Sequence, residues 1–127
     1  MRRVREAVLA TLAAERVRDA LVSVTFVGPR TIARLNREFL SRDGATDVIS
    51  FGLTRQGDRL PVIGDIYICP AAAARNARSL GIRLDDELAR LVVHGALHIL
   101  GYDHPEGPGR TTSTMWRRQE RILESLN

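Results

Sequence analysis

All three histidines of this chain fall within residues 94–104, which read His94-Gly95-Ala96-Leu97-His98-Ile99-Leu100-Gly101-Tyr102-Asp103-His104. His94 and His98 are four positions apart, so a helix through them stacks the two rings on one face, one turn apart. Gly101 falls where that helix must end, because glycine takes the left-handed cap conformation at little cost. The chain can then turn back and bring His104 toward the first two rings. Three imidazoles around one point, with a fourth position open to water, are the arrangement of catalytic rather than structural zinc. Leu91, Val92, Val93, Leu97, Ile99 and Leu100 surround the histidines, and imidazoles in such apolar company need partners. The pattern predicts one bound Zn2+ held by His94, His98 and His104 plus a water. Spacing does not separate zinc from another imidazole-binding metal such as nickel.

A length of 127 residues predicts a single domain over 1–127 with a core of its own. Hydrophobic residues make up 44% and charged residues 27%, ordinary for a soluble globular protein. No apolar run is long enough for a membrane span, so no membrane partner is expected. The basic start Met1-Arg2-Arg3 is followed by charged Glu15, Arg16, Arg18 and Asp19 where a signal core would be apolar, so no secretory signal is expected. One cysteine, Cys69, excludes an internal disulfide and fits a reducing cytoplasm. Its apolar, strand-like setting reads as a small buried side chain. The net charge is +4, and all 19 basic residues are arginine. Such a surface attracts a polyanion such as RNA. A compositional bias of the source would give the same excess, and the charge alone does not decide.

Along the chain, residues 2–19 carry a loose helical stripe. Residues 21–27 alternate as a strand, and Gly28-Pro29 breaks it. Ile32, Leu35, Phe39 and Leu40 mark a helix with Thr31 as its N-cap. Residues 47–51 and 62–69 read as two more strands, joined by a polar loop or hairpin over 54–61. Pro70 opens a helix that stops at Gly81. Asp85 is the expected N-cap of the histidine helix, with Asp86 and Glu87 favourable at its positive end. A loop follows over 105–110, and an amphipathic helix from about Ser113 closes the chain, with Met115, Trp116, Ile122 and Leu123 apolar. Helices on a small mixed sheet give an α+β (α/β-like) domain.

The H-x-x-G-x-x-H half of a zinc-peptidase motif is present from His98 to His104, and Met115 lies downstream as a methionine turn would. The glutamate general base is missing, because Gly95 follows the first histidine. A peptidase must activate water and protonate an amine, so a different substrate is expected. The run His94 to His104, the strand Thr46-Asp47-Val48-Ile49-Ser50-Phe51 and Gly64-Asp65-Ile66 together resemble the YbeY family, bacterial endoribonucleases of rRNA maturation. The resemblance covers roughly Leu35 to Met115.

That resemblance implies a small α+β domain with about four strands in a mixed sheet, the metal-binding histidine helix in the core, and zinc on His94, His98 and His104. It implies cleavage of single-stranded RNA, an rRNA precursor, in maturing the 3′ end of 16S rRNA, in ribosome quality control and in association with the ribosome or its proteins. Asp103, beside the third ligand, is a candidate catalytic or proton-handling residue, or equally a turn residue closing the helix. Ser50 is a candidate ligand contact or a strand residue paired with its neighbour. Many family members carry an arginine six residues before the threonine of this strand, where this chain has Leu40. Arg42, two residues on, is the candidate replacement that steadies phosphate charge, with Arg37 as the other. Two other readings remain: a zinc metallopeptidase-like hydrolase, opposed by Gly95, and a zinc-stabilised ribosome-binding module with little turnover, favoured by Leu40. Cys69 would be a fourth ligand only if the third strand's end reached the histidines. The oligomeric state is not legible.

Overall fold

Proline, serine and glycine set the limits of the elements in the computed structural model, which describes residues 2–53, 61–103, 109 and 113–126. Among these residues the order is α1 (Arg2–Ala14), β1 (Ala20–Phe26), α2 (Pro29–Leu40), β2 (Val48–Gly52), β3 (Val62–Ile68), α3 (Pro70–Leu80), α4 (Leu84–Ile99) and α5 (Thr114–Ser125). Pro29 and Pro70 each take the first helical position, where a missing N–H costs nothing. Ser113 caps α5 by accepting from the Trp116 N–H at 3.1 Å. At Gly81, with φ 68°, the Ile82 N–H reaches back to the Ala77 carbonyl and ends α3.

Two expected caps move. Gly28, not Thr31, precedes α2, because Pro29 already has the helical φ and draws Thr31 into the first turn. Arg83, not Asp85, precedes α4; Asp85, Asp86 and Glu87 all lie in its first turn and act on the helix dipole instead. Helix α1 stops at Ala14, short of residue 19, where Arg16 turns left-handed at φ 58° and the Val17 N–H closes on the Leu12 carbonyl. The expected loops over 54–61 and 105–110 lie almost wholly outside the described residues.

Central strand β3 runs parallel to β1 and antiparallel to β2, giving the sheet order β1-β3-β2. Among the described residues this is three strands rather than about four. The three β-branched runs are all used, and the remaining apolar patterns have helical spacing. The mixed α+β class stands.

Register puts Val22, Val24 and Phe26 of β1, Gly64, Ile66 and Ile68 of β3, and Val48, Ser50 and Gly52 of β2 on one face. Helix α4 lies on that face, contacting β2 and β3, and it also meets α1, α3 and α5. Leu88, Ala89, Leu91, Val92, Val93, Ala96 and Leu97 are all buried, so α4 is enclosed almost all round. The sequence that carries the histidines is the core of the domain. On the opposite face, α2 covers only a smaller cluster of Ile32, Ile49, Cys69 and Ala72, with Val27, Leu35 and Phe51 half-buried beside it.

Candidate metal centre

Helix α4 descends onto the sheet at its C-terminal half because three glycines leave room for it. A Cβ on Gly95 would meet Ile66 Cγ2 at 3.2 Å, and one on Gly64 would meet the Ile99 side chain at 2.7 Å. Gly52 is the cross-strand partner of Gly64, with the Ile99 carbonyl above it. Glycine in a helix interior costs about 1 kcal/mol against alanine, and here the close helix–sheet approach explains it. The same geometry answers the missing peptidase base: a side chain at position 95 starts toward Ile66, in the core.

The helix ends as the sequence predicts. Gly101 has φ 100°, the Gly101 N–H bonds the His98 carbonyl, and the Tyr102 N–H bonds the Leu97 carbonyl, which satisfies the last turn. This turn swings the Tyr102 carbonyl back over the helix, where it accepts from His98 Nδ1 at 3.0 Å. The Tyr102 hydroxyl in turn donates to Glu15 beyond the end of α1, and Glu15 faces Arg118 of α5 at 3.6 Å. The bond to Glu15 raises the hydroxyl above the usual tyrosine range.

His94 is oriented from a different direction. Its Nδ1 donates to the side-chain carbonyl of Gln119 on α5 at 2.8 Å. Both histidines are half-buried, and their Nε2 atoms face each other at 3.1 Å. A carbonyl oxygen only accepts, so each Nδ1 holds a proton and a neutral ring leaves Nε2 with a lone pair. Two lone pairs at this distance need a proton or a cation between them. Two nitrogens on one tetrahedral zinc, each about 2.0–2.1 Å away, stand about 3.3 Å apart. The pair therefore fits a shared ion, and each ring has the carbonyl partner that metal-bound histidines ordinarily have.

Among the described residues no third histidine, cysteine or carboxylate joins this pair as a metal-holding group. His104, the expected third ligand, lies outside the described residues. Asp103 is exposed, directly after Tyr102 in the chain. Leu40 ends α2 and is 44% exposed, and Arg42 is exposed in the loop that follows. Arg37 is on the surface 3.6 Å from Asp43. Ser50 is half-buried on the α4 face of the sheet. Cys69 is buried in the α2 cluster, away from the histidine face, which removes it as a fourth ligand.

A second polar network shares the histidine face. Arg90, one turn before His94, grips the fully buried Glu87 through Nε and Nη2, each at 2.7 Å, and this bond raises the guanidinium above its ordinary value. Asn76 of α3 donates at 3.0 Å both to Glu87 and to Asp47, just before β2. A buried carboxylate survives only when its partners are complete. Here its donors tie α3, α4 and the start of β2 into one rigid wall. Sequence reading missed this network and also Gln119. The available signal was register: Gln119 falls four after Met115 and three before Ile122, both buried, where an apolar residue belongs.

A family model described as "Endoribonuclease YbeY" matches residues 1–127. A relative of that name from Anaeromyxobacter sp. (strain Fw109-5) is 46% identical over 103 residues, covering 81% of this chain and 54% of the relative. Another, from Geobacillus kaustophilus, is 43% identical over 129 residues, covering 93% of this chain and 81% of the relative. The chain spans about half the length of the Anaeromyxobacter relatives it matches. A solution structure from Thermotoga maritima superposes with a TM-score of 0.66 at 31% identity, covering 97% of this chain and 78% of that one. The whole-length match and these identities establish that the chain belongs to the YbeY family.

Proposed function

We propose that this protein is a zinc-dependent endoribonuclease, a hydrolase that cleaves single-stranded RNA. The observation that carries the reading is the pair of inward Nε2 atoms 3.1 Å apart, each ring fixed through its Nδ1. That the relatives are named endoribonucleases supports the substrate class. His94, His98 and His104 would hold the ion. Zinc supplies Lewis-acid polarisation of the scissile phosphodiester when bound. Arg42 holds a flanking phosphate, and Asp103 handles the proton. The substrate is an rRNA precursor, matured at the 3′ end of 16S rRNA, and the protein acts on the ribosome in quality control within the cytoplasm. The peptidase alternative is opposed by the packing of Gly95 on Ile66. The binding-module alternative draws support from Leu40.

The test incubates metal-analysed protein with single-stranded RNA, with and without chelator, beside His98→Ala. Cleavage should vanish on chelation and fall by at least about 100-fold in the variant, since one ligand of a catalytic metal is lost. Chelator-resistant cleavage by pure protein would overturn the reading. Turnover of an unfolded protein substrate alone would favour the peptidase. Tight ribosome binding without turnover would favour the module.

A further inference from the structure

We propose that Gln119 is the positioning residue of the metal centre, the group that commits His94 to present Nε2 to a divalent cation. The assignment rests on the zinc reading above and deepens it. Gln119 is 1% exposed and occupies the buried register of α5 between Met115 and Ile122. Its Oε1 accepts from His94 Nδ1 at 2.8 Å. Its Nε2 is buried and finds no acceptor among the described residues. An apolar side chain would fill the same space with no buried amide N–H to satisfy, but it would strip His94 Nδ1 of this acceptor. The amide loses the hydration of its N–H and recovers one hydrogen bond, and that bond ends on His94. Packing does not explain this choice of residue; orientation of the ring does.

The contrast with His98 strengthens the inference. His98 is held by the main-chain carbonyl of Tyr102, which no substitution at that position removes. The His94 Nδ1 atom is held instead by a side chain from another helix. With the Gln119 carbonyl in place, the neutral ring carries its proton on Nδ1 and its lone pair on Nε2. If the amide were turned round, its N–H would point at Nδ1, the proton would move to Nε2, and a ring protonated there cannot ligate. A carboxylate in the same place would be a stronger acceptor and would make the imidazole a more basic ligand.

The experiment compares the full chain with Gln119→Met and Gln119→Glu. It measures zinc affinity by competition with a chromophoric chelator, histidine ring nitrogen spectra without metal, and metal-free thermal unfolding. Gln119→Met should weaken zinc about 10- to 100-fold. It should also release the Nδ1–H preference of His94, leave the His98 tautomer unchanged, and remain folded. Gln119→Glu should bind zinc at least as tightly as the wild type while the metal-free protein loses stability, because its buried carboxylate then lacks the ion. A purely structural glutamine would move stability without moving the tautomer. Wild-type zinc affinity in Gln119→Met overturns the proposal, as does a wild-type His94 protonated on Nε2 or a wild type that keeps no zinc. Should Gln119→Met fail to fold, zinc binding weaker in Gln119→Glu than in the wild type overturns it. None of these readouts uses RNA, so failure of the nuclease reading does not register in them.

Discussion

Beneath α4, Ile66 and Ile68 of the sheet are fully buried against Val92, Val93 and Leu97, and the helix is closed off further by α1 and α5. Across the sheet, Ile32, Ile49, Cys69 and Ala72 make a smaller cluster, while Phe39 is 62% exposed and Leu21 of β1 is 70% exposed. The first side has glycines trimmed to a close fit and buried polar groups bonded to named partners. The second also holds a buried polar group, Asn36 donating to the Gly44 carbonyl, but its apolar cluster is smaller and partly wet. The difference places rigidity around the two histidine nitrogens, 3.1 Å apart, as the proposed metal site would require. The α2 side needs only to cover the sheet.

The largest effect that would test this contrast is expected from Gly95→Glu. The substitution restores the peptidase base by sequence, but its side chain starts toward Ile66 at a position already closed. A carboxylate forced there without partners should cost about 4 kcal/mol or more. Denaturant unfolding should show the loss, and peptide hydrolysis should not be gained. A stable variant with new peptidase activity would show that the helix–sheet contact is looser than described. Next come two matched truncations. Leu97→Ala, fully buried in the α4 cluster, should cost about 3–4 kcal/mol, whereas Ile32→Ala, equally buried in the smaller cluster, should cost about 2 kcal/mol because half-exposed neighbours can close in. Zinc affinity should fall with the first and hold with the second. The reverse order in either measurement would break the comparison.

What was legible in the sequence follows the range of the forces involved. Pro70, Gly81, Gly101 and Ser113 act within a few residues of themselves, so the starts and stops they set could be read directly. The His94–His98 face needed only helical spacing. Thr31 and Asp85 were misplaced as caps because a proline and a three-carboxylate run each allow the helix to start earlier than side-chain preference alone suggests. The fourth strand came from the resemblance, not from a β-branched run in the chain. The partners that orient the rings were out of reach: Gln119 is 25 positions from His94, and Glu15 is 87 from Tyr102. Such pairs exist only once α1 and α5 have closed on α4. Even then the polar residue in an apolar register was visible at Gln119 and could have been asked for its partner.

The smallest expected effect sharpens the comparison from its weak side. Phe39 meets Phe51 edge to face at 5.4 Å between centroids and 70° between planes, and Phe51 meets Tyr67 in the same way at 6.0 Å and 72°. Most of the Phe39 ring stays in water, so its truncation recovers little transfer energy. What is lost is the quadrupolar contact and some cover over Phe51. Phe39→Ala should therefore cost about 0.5–1 kcal/mol. A double-mutant cycle with Phe51→Leu should assign most of that loss to the pair. Zinc affinity should not change, because the aromatic row lies on the face away from α4. A coupling of several kcal/mol, or a loss of zinc with Phe39→Ala, would mean that the α2 side carries strain or order through the sheet to the histidines, and the division of labour between the faces would have to be given up.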